Sequence, residues 1–265
     1  MKKIIALLLA IAMVAAFVGC AKEDKPAETT AAAAATEAPE TTEAASAPQE
    51  AEGEVMTHAD YIAAPENSPV CIETYVQAHQ DWRENKVSVY AQSEDGAYFL
   101  YRMECSEEQA AKLVPGTKIR VMGFKGIHHG EIEVAEEGTF EILEGSYIAP
   151  AQDITGGLSA SNLIDWQNAK IKITGLTVEK ANDAGDAFLY NWDGSGAAGS
   201  NNDLYFNVSD GTNTYTFTVE SDLCGEGTDV YTAVTNLKVG DTIDVEGFLY
   251  WYDGMQPHVT SVTVK

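Results

Sequence analysis

The chain has 265 residues, 45% of them hydrophobic, with 41 Asp and Glu against 16 Lys and Arg and a formal net charge of −25. So acidic a chain repels polyphosphate and anionic headgroups and attracts cations or neutral ligands, which argues against a role carried by charge on nucleic acid or on a lipid surface. Four cysteines are too few for a disulfide framework at this length.

The chain begins with Lys2-Lys3, an apolar run from Ile4 to Val18, and then Gly19-Cys20. A positive start, an apolar run and small residues before a cut describe an export signal. The run falls short of the roughly 20 residues that a spanning helix needs. Phe17-Val18-Gly19-Cys20 resembles the lipobox of bacterial lipoproteins, with Phe17 where Leu is usual. The resemblance implies that residues 1–19 are a removed lipoprotein signal peptide, that Cys20 is the lipidated N-terminus, and that the protein works on the outer face of the bacterial cell membrane. A plain secretory signal or a short uncleaved anchor is the competing reading. Residues 20–54 follow as a tether dominated by Ala, Thr, Glu and Pro, with no aromatic residue. Such a stretch buries too little apolar surface to offset the entropy of ordering, so it is expected to be disordered.

An internal repeat organises the remainder. Leu113-Val-Pro-Gly-Thr-Lys-Ile-Arg-Val-Met-Gly-Phe124 matches Leu237-Lys-Val-Gly-Asp-Thr-Ile-Asp-Val-Glu-Gly-Phe248 in Leu, Gly, Ile, Val, Gly and Phe. Each copy reads as a turn, a strand with alternating apolar positions and a glycine that permits a bulge. Strands are expected at 70–78, 86–92 and 97–103, with a turn at Glu94-Asp95-Gly96. Ser106-Glu-Glu-Gln109 is a capping box opening a helix through Val114, and a last strand starts at Glu131. The second half repeats the order: strands at 170–178, 204–209 and 214–219, a helix capped by Thr228 and running to Leu237, and strands at 242–250 and 258–264. Strand, hairpin, helix, hairpin is the order of the OB-fold, a five-stranded Greek-key barrel. The fold class is therefore all-β: two tandem OB-fold five-stranded barrels, each with one short helix, behind a signal peptide and a disordered tether. The first barrel spans 55–145, a linker 146–168, and the second barrel 169–265. Ile72-Glu-Thr-Tyr-Val-Gln-Ala78, Asp95-Gly-Ala-Tyr-Phe99, Leu189-Tyr-Asn-Trp-Asp-Gly194 and Phe248-Leu-Tyr-Trp-Tyr-Asp-Gly254 resemble tandem OB-fold lipoproteins of anaerobic Gram-positive bacteria. That group has no established activity, so the resemblance implies fold and location rather than chemistry.

Alternation along the strands of the first barrel points Val76, Ala78, Val87, Val89, Phe99, Tyr101 and Met103 inward, and Tyr75, His79, Tyr90, Gln92, Tyr98 and Arg102 outward. OB-folds bind ligands on the outer face of strands two and three. Tyr75, His79, Tyr90, Tyr98 and Arg102 are thus ligand-binding candidates, the rings being able to stack on bases or sugars. Cover by the second barrel or by the linker is the competing reading. In the second barrel, Tyr205 lies on the corresponding face. The long connection 179–203 carries Trp192, and the last hairpin carries Tyr250 and Trp251; these two loops border an OB cleft. Trp192 and Trp251 either clamp a flat ligand or close the barrel as a satellite core; Trp192 is assigned to the core, and Trp251 stays open between the two. Asp183, Asp186, Asn191, Asp193 and Asp203 are oxygen ligands of the kind Ca²⁺ takes, but their spacing does not match an EF-hand, and Asn191-Trp-Asp-Gly194 reads first as a turn. His128-His129 has only Glu131 nearby and reads as an exposed turn. Cys71, Cys105 and Cys224 read as small buried groups, with a Cys71–Cys105 pair left open.

No Ser, Cys or Asp stands beside a His in a pattern that signals nucleophilic catalysis, so no catalytic residue is assigned and no cofactor is expected. The expected function is that of a non-enzymatic, lipid-anchored binding or interaction protein, with a glycan, peptide or protein partner as its ligand and the membrane touched only through the lipid. The alternative is capture of extracellular single-stranded nucleic acid through the OB faces, opposed by charge.

Overall fold

The structure is a computed structural model that describes residues 53–265. The export signal, Cys20 and nearly all of the tether lie outside those residues. Among the described residues no helix is long and apolar enough to cross a membrane.

The first barrel is built from β1 (Pro69–His79), β2 (Lys86–Gln92), β3 (Ala97–Glu104), β4 (Thr117–His128) and β5 (Glu131–Val134). Its order is β1-β2-β3-β5-β4, and β1 pairs with β4 to close it. β3 and β5 run parallel, with Phe99 beside Glu133, and the other neighbours are antiparallel. The second barrel repeats this closure with β8 (Lys170–Glu179), β10 (Leu204–Ser209), β11 (Thr214–Val219), β12 (Thr242–Phe248) and β13 (His258–Val264). Here β11 and β13 are the parallel pair, through Thr218 and His258. Both are closed five-stranded barrels of OB topology, as the repeat in the sequence predicts. Further strands extend them: β6 (Thr139–Ser146) beside β4, and two short ones, β7 (Gln152–Asp153) beside β8 and β9 (Leu189–Tyr190) beside β10.

Among the described residues three α-helices close or flank the barrels. α1 (His58–Ala63) precedes β1; it was not apparent from the sequence, being six residues long and without periodicity. Thr57 caps its start, and Lys125, buried in the first barrel, donates from Nζ to the carbonyls of Ile62 and Ala64 at its end. A cation on the last carbonyls of a helix meets the negative end of its dipole. α2 (Glu107–Ala110) carries the expected capping box, Ser106 with Gln109. It stops short of Val114, because Pro115 disfavours a helical conformation at the residue before it. α3 (Asp229–Thr235) is capped by Thr228. A 3₁₀ turn at Leu163–Trp166 fills the connection between barrels.

The two barrels share one compact unit. At their junction Tyr90 and Phe99 of the first barrel pack on Phe248 of the second, all three buried. Tyr90 and Phe248 stack with centroids 4.6 Å apart and planes 19° apart, and Tyr250 meets the edge of Phe99 at 5.4 Å. The Tyr90 hydroxyl bonds His258 Nδ1 at 2.6 Å. Backbone groups lock the edges: Trp251 N–H donates to Glu131 Oε2, Asp253 N–H to the His129 carbonyl and Lys170 N–H to Gln92 Oε1.

The repeat makes the two barrels comparable residue by residue. Phe124 occupies the place of Phe248, yet it is 58% exposed where Phe248 is 3%. Counting back from the hairpin turns, where Gln92 pairs with Ala97 and Ser209 with Thr214, Tyr90 corresponds to Asn207 and Phe99 to Thr216. In the second barrel these two are joined by a hydrogen bond, Thr216 Oγ1 to Asn207 Oδ1, 2.8 Å.

Gly247 sits where β12 slips register against β13, and a Cβ there would meet the His258 carbonyl oxygen and stand 2.9 Å from Val259 Cα. Both are backbone atoms that cannot swing away. Gly247→Ala is expected to cost roughly 1–3 kcal/mol, as overpacking in a tight core does. Urea unfolding checks it; an unchanged midpoint overturns the argument.

Candidate functional site

The sequence places the outer face of β2 and β3 on the surface, and the structure corrects this. Tyr90 is 0% exposed because the second barrel covers it. Tyr98 is 1% exposed for a different reason: it points into the first barrel's core, against Tyr61 of α1 and the ring of His58. Leu100 is inward with it, while Phe99 and Tyr101 face outward. Simple alternation from Met103 fails because Arg102 adopts φ +47° and the β2–β3 register slips between Val87 and Val89. That bulge shifts every residue before it to the other face. A second slip, between Val76 and Ala78 in β1, turns Ala78 toward the junction.

The other candidates of the first barrel are dispersed. Tyr75 lies on a separate face, edge-on to Tyr147 at 5.5 Å. His79 bonds the Gln80 carbonyl through Nδ1 at 2.7 Å. Arg102 spans Glu84 (2.8 Å) and Glu136 (2.9 Å) on the rim of a cleft at the margin of the junction. That cleft, about 250 Å³, is lined by both barrels, among others by Gln80, Arg83, Lys86, Phe99, Tyr101, Glu220, Tyr250 and His258.

The junction also holds buried titratable groups. Glu131 is 0% exposed; Oε2 accepts from Trp251 N–H, and Oε1 has no partner among the described residues. The Asn168 side chain adjoins it, and its Oδ1 is equally unpartnered. Burial pushes the Glu131 carboxyl up to about 8 and that of its strand neighbour Glu133 up to about 7. Glu220, just after β11, is raised to about 8 by burial and then by Asp203 and Asp222. Burial drives His258 down to about 3, so it stands as a neutral ring, stacked on Tyr250 at 4.1 Å. Acidic side chains are so common in this chain that pattern alone does not separate buried from solvated ones. The signal that exists is local: Glu131-Ile-Glu-Val134 alternates carboxylates with aliphatics on a strand that closes a barrel.

The second barrel offers an open cleft of about 790 Å³ between the β8–β10 connection and the end of α3, lined by Asn182, Asp186, Phe188, Tyr190, Asp193 and Lys238 among others. Trp192, assigned to a satellite core by the sequence, is instead 75% exposed. It rides a turn in which Asn191 takes φ +60° and Gly194 N–H bonds the Asn191 carbonyl, and that turn throws the indole outward. Trp251 is half-buried, packed against the second core and close to Gly130 of the first barrel. Tyr250 belongs to the junction, and Tyr205 is half-buried beside Asp203 and Tyr252. The acidic residues of this loop serve its turns: Asp183 pairs with Lys180, Asp186 accepts from Asn182, Asp193 from Ser195 N–H, and Asp203 from Ser221. Among the described residues no group of three or more His, Cys, Asp or Glu is arranged to hold a metal ion. Cys71, Cys105 and Cys224 are free thiols, Cys224 partly exposed.

Closed barrels of this order, repeated in tandem and joined through aromatic faces, define a two-OB-fold protein. No protein-family model matches the chain, and no curated protein does. Among solved structures it is similar to a murine DNA-binding protein bound with double-stranded DNA, at 14% identity over 74% of this chain and 98% of that one, TM-score 0.31. It is also similar to a replication protein A heterotrimer bound to single-stranded DNA, at 11% identity over 76% of this chain and 49% of that one, TM-score 0.30. Likenesses this distant carry nothing about the ligand of this chain.

Proposed function

We propose that this is a non-enzymatic binding protein, held on the outer face of a bacterial cell membrane by lipid at Cys20, whose ligand is a glycan, peptide or protein segment rather than nucleic acid. The observation that carries the reading is the exposed Trp192 indole, in the same turn as the cleft-lining Tyr190 and Asp193. A large aromatic ring held in solvent beside a concave, amide- and carboxylate-lined surface is suited to stack on a sugar ring or receive an apolar side chain. The pairing of the cations supports it: Arg83 meets Asp222, Arg102 meets Glu84 and Glu136, and Arg120 meets Glu73 and Glu141, so no arginine among the described residues is left to face a phosphate. The barrel class supports the alternative, single-stranded nucleic acid, but that ligand gains its affinity from released counterions, and neutralised arginines release few.

Two measurements test this. Titration of the mature chain with a panel of neutral oligosaccharides and short peptides is expected to find a ligand whose affinity falls about tenfold, the equivalent of about 1.4 kcal/mol, in Trp192→Ala. The stability of that variant is expected to stay within about 0.5 kcal/mol of the parent, as for other exposed positions. A single-stranded thymidine oligonucleotide at physiological salt is expected to bind more weakly than about 1 μM. Tight binding with a steep salt dependence would reverse the choice of ligand.

A further inference from the structure

The cleft at the junction margin contains a carboxylate that takes part in no ion pair among the described residues. Glu220 accepts a hydrogen bond from Gln80 Nε2 at 3.0 Å and lies near the Asp222 N–H and the Arg83 guanidinium, which is itself bound to Asp222. Its side chain is largely buried where β11 ends, and Asp203 and Asp222 add negative charge around it. Asp203 is occupied by Ser221 (N–H at 2.8 Å, hydroxyl at 2.7 Å), and Asp222 by Arg83. The cations at the rim are likewise engaged: Arg83 with Asp222, Lys86 with Glu136 at 2.7 Å, and Arg102 with Glu84 and Glu136. His258 faces the same space as a neutral ring, its Nδ1 taken by the Tyr90 hydroxyl. Phe99, Tyr101 and Tyr250 supply the remaining wall.

We propose that this cleft binds a primary alkylammonium group, its nitrogen on the Glu220 carboxylate and its methylenes on Phe99, Tyr101 and Tyr250. An ammonium has three donors and no acceptor, which suits a carboxylate with unused lone pairs. Aromatic faces attract a cation and cover its carbon chain. The acidic field of the whole molecule draws cations inward. The group is carried by a lysine side chain or by an amino sugar, and both present the same charge on an aliphatic frame. The proposal is independent of the loop cleft at Trp192, since the two sites share no lining residue.

Glu220 must lose its proton before it can hold the ammonium. Its carboxyl, raised to about 8, is mostly protonated at pH 6 and half ionised near pH 8. A site competent in only a fraction of molecules binds more weakly by that fraction.

The test is calorimetric titration of the mature chain with n-butylammonium chloride at fixed ionic strength. Saturable one-to-one binding at pH 8 is expected, at least about tenfold weaker at pH 6. N-butylacetamide, which has the same chain and no charge, is expected not to bind. Glu220→Gln keeps the size of the side chain and an acceptor for Gln80; it is expected to lower the affinity at least about tenfold, to abolish the pH dependence and to leave the melting temperature at pH 8 unchanged or higher. Trp192→Ala is expected to leave butylammonium binding unchanged, which separates this site from the one proposed above. Nα-acetyl-lysine amide and glucosamine serve as the two source arms, and the one that binds more tightly names the source. Absence of saturation, equal binding of the amide, or full affinity in Glu220→Gln would overturn the proposal.

Discussion

Phe248→Ala is expected to lower stability by about 3–5 kcal/mol, the range for deleting a large buried aromatic, whereas Phe124→Ala is expected to cost less than about 1 kcal/mol. The two residues hold the same place in the repeat, so propensity and local sequence are nearly matched. What differs is what they touch. Phe248 stacks on Tyr90 and seals the junction; Phe124 has solvent over most of its ring. Removing the first leaves a hole bounded by Tyr90 and Phe99 and loosens the seat of the Tyr90–His258 hydrogen bond. Denaturant unfolding of both variants checks the contrast. Equal losses would show that the junction contributes no more than an ordinary surface.

Stability is expected to fall as pH rises from about 4.5 to about 8. Glu131, Glu133 and Glu220 start from an ordinary value of 4.5 and stand at about 8, 7 and 8 in the folded chain. In that window the unfolded chain has released their protons and the folded chain still holds them. The stability they contribute is complete below about 4.5, is lost progressively up to their folded values, and changes no further above. One pH unit in the window is worth about 1.4 kcal/mol per group; with relaxation of the buried site allowed for, Glu131 alone accounts for on the order of 3 kcal/mol. Glu220, which opens on a cleft, accounts for less. Groups held below their ordinary values act in the opposite sense: Glu73, held low by Lys118 and Arg120, contributes above 4.5, and His258, kept neutral by burial, contributes above 6.5, and both contributions are lost as pH falls. The maximum is therefore expected near pH 5. Glu131→Gln keeps an acceptor for Trp251 N–H and carries no proton to lose. It is expected to flatten the slope and to be more stable than the parent at pH 8. Melting temperatures of both proteins at pH 5, 6.5 and 8 check it; a parent that gains stability across that range contradicts the assignment.

The fold was legible because it is written twice. Leu113–Phe124 and Leu237–Phe248 identify each other, and strand alternation with two capping signals supplies the remaining elements. The candidate site was far less legible, for a reason of parity. A bulge at Arg102 exchanges the faces of Tyr98 and Phe99, and nothing at Arg102 in the sequence announces a positive φ, since glycine and asparagine are the usual occupants of that conformation. Trp192 failed in the other direction. A large aromatic is expected inside, and only the left-handed Asn191 before it turns the ring into solvent. Glu220 was hidden by composition, in a chain with 41 acidic residues, and Glu131 showed only in the alternation of carboxylates with aliphatics over Glu131–Val134.

The junction joins unlike surfaces, a phenylalanine tip on one barrel and an aromatic strand face on the other. A contact of that kind is open-ended: each added unit carries a fresh copy of both surfaces, and the series grows without limit unless one of them is spoiled. Here the tip survives at the free end as Phe124, while the face it would need is spoiled by Asn207 and Thr216, whose amide and hydroxyl bond each other. Two polar side chains thus deny the exposed Phe124 the aromatic seat that the first barrel offers to Phe248.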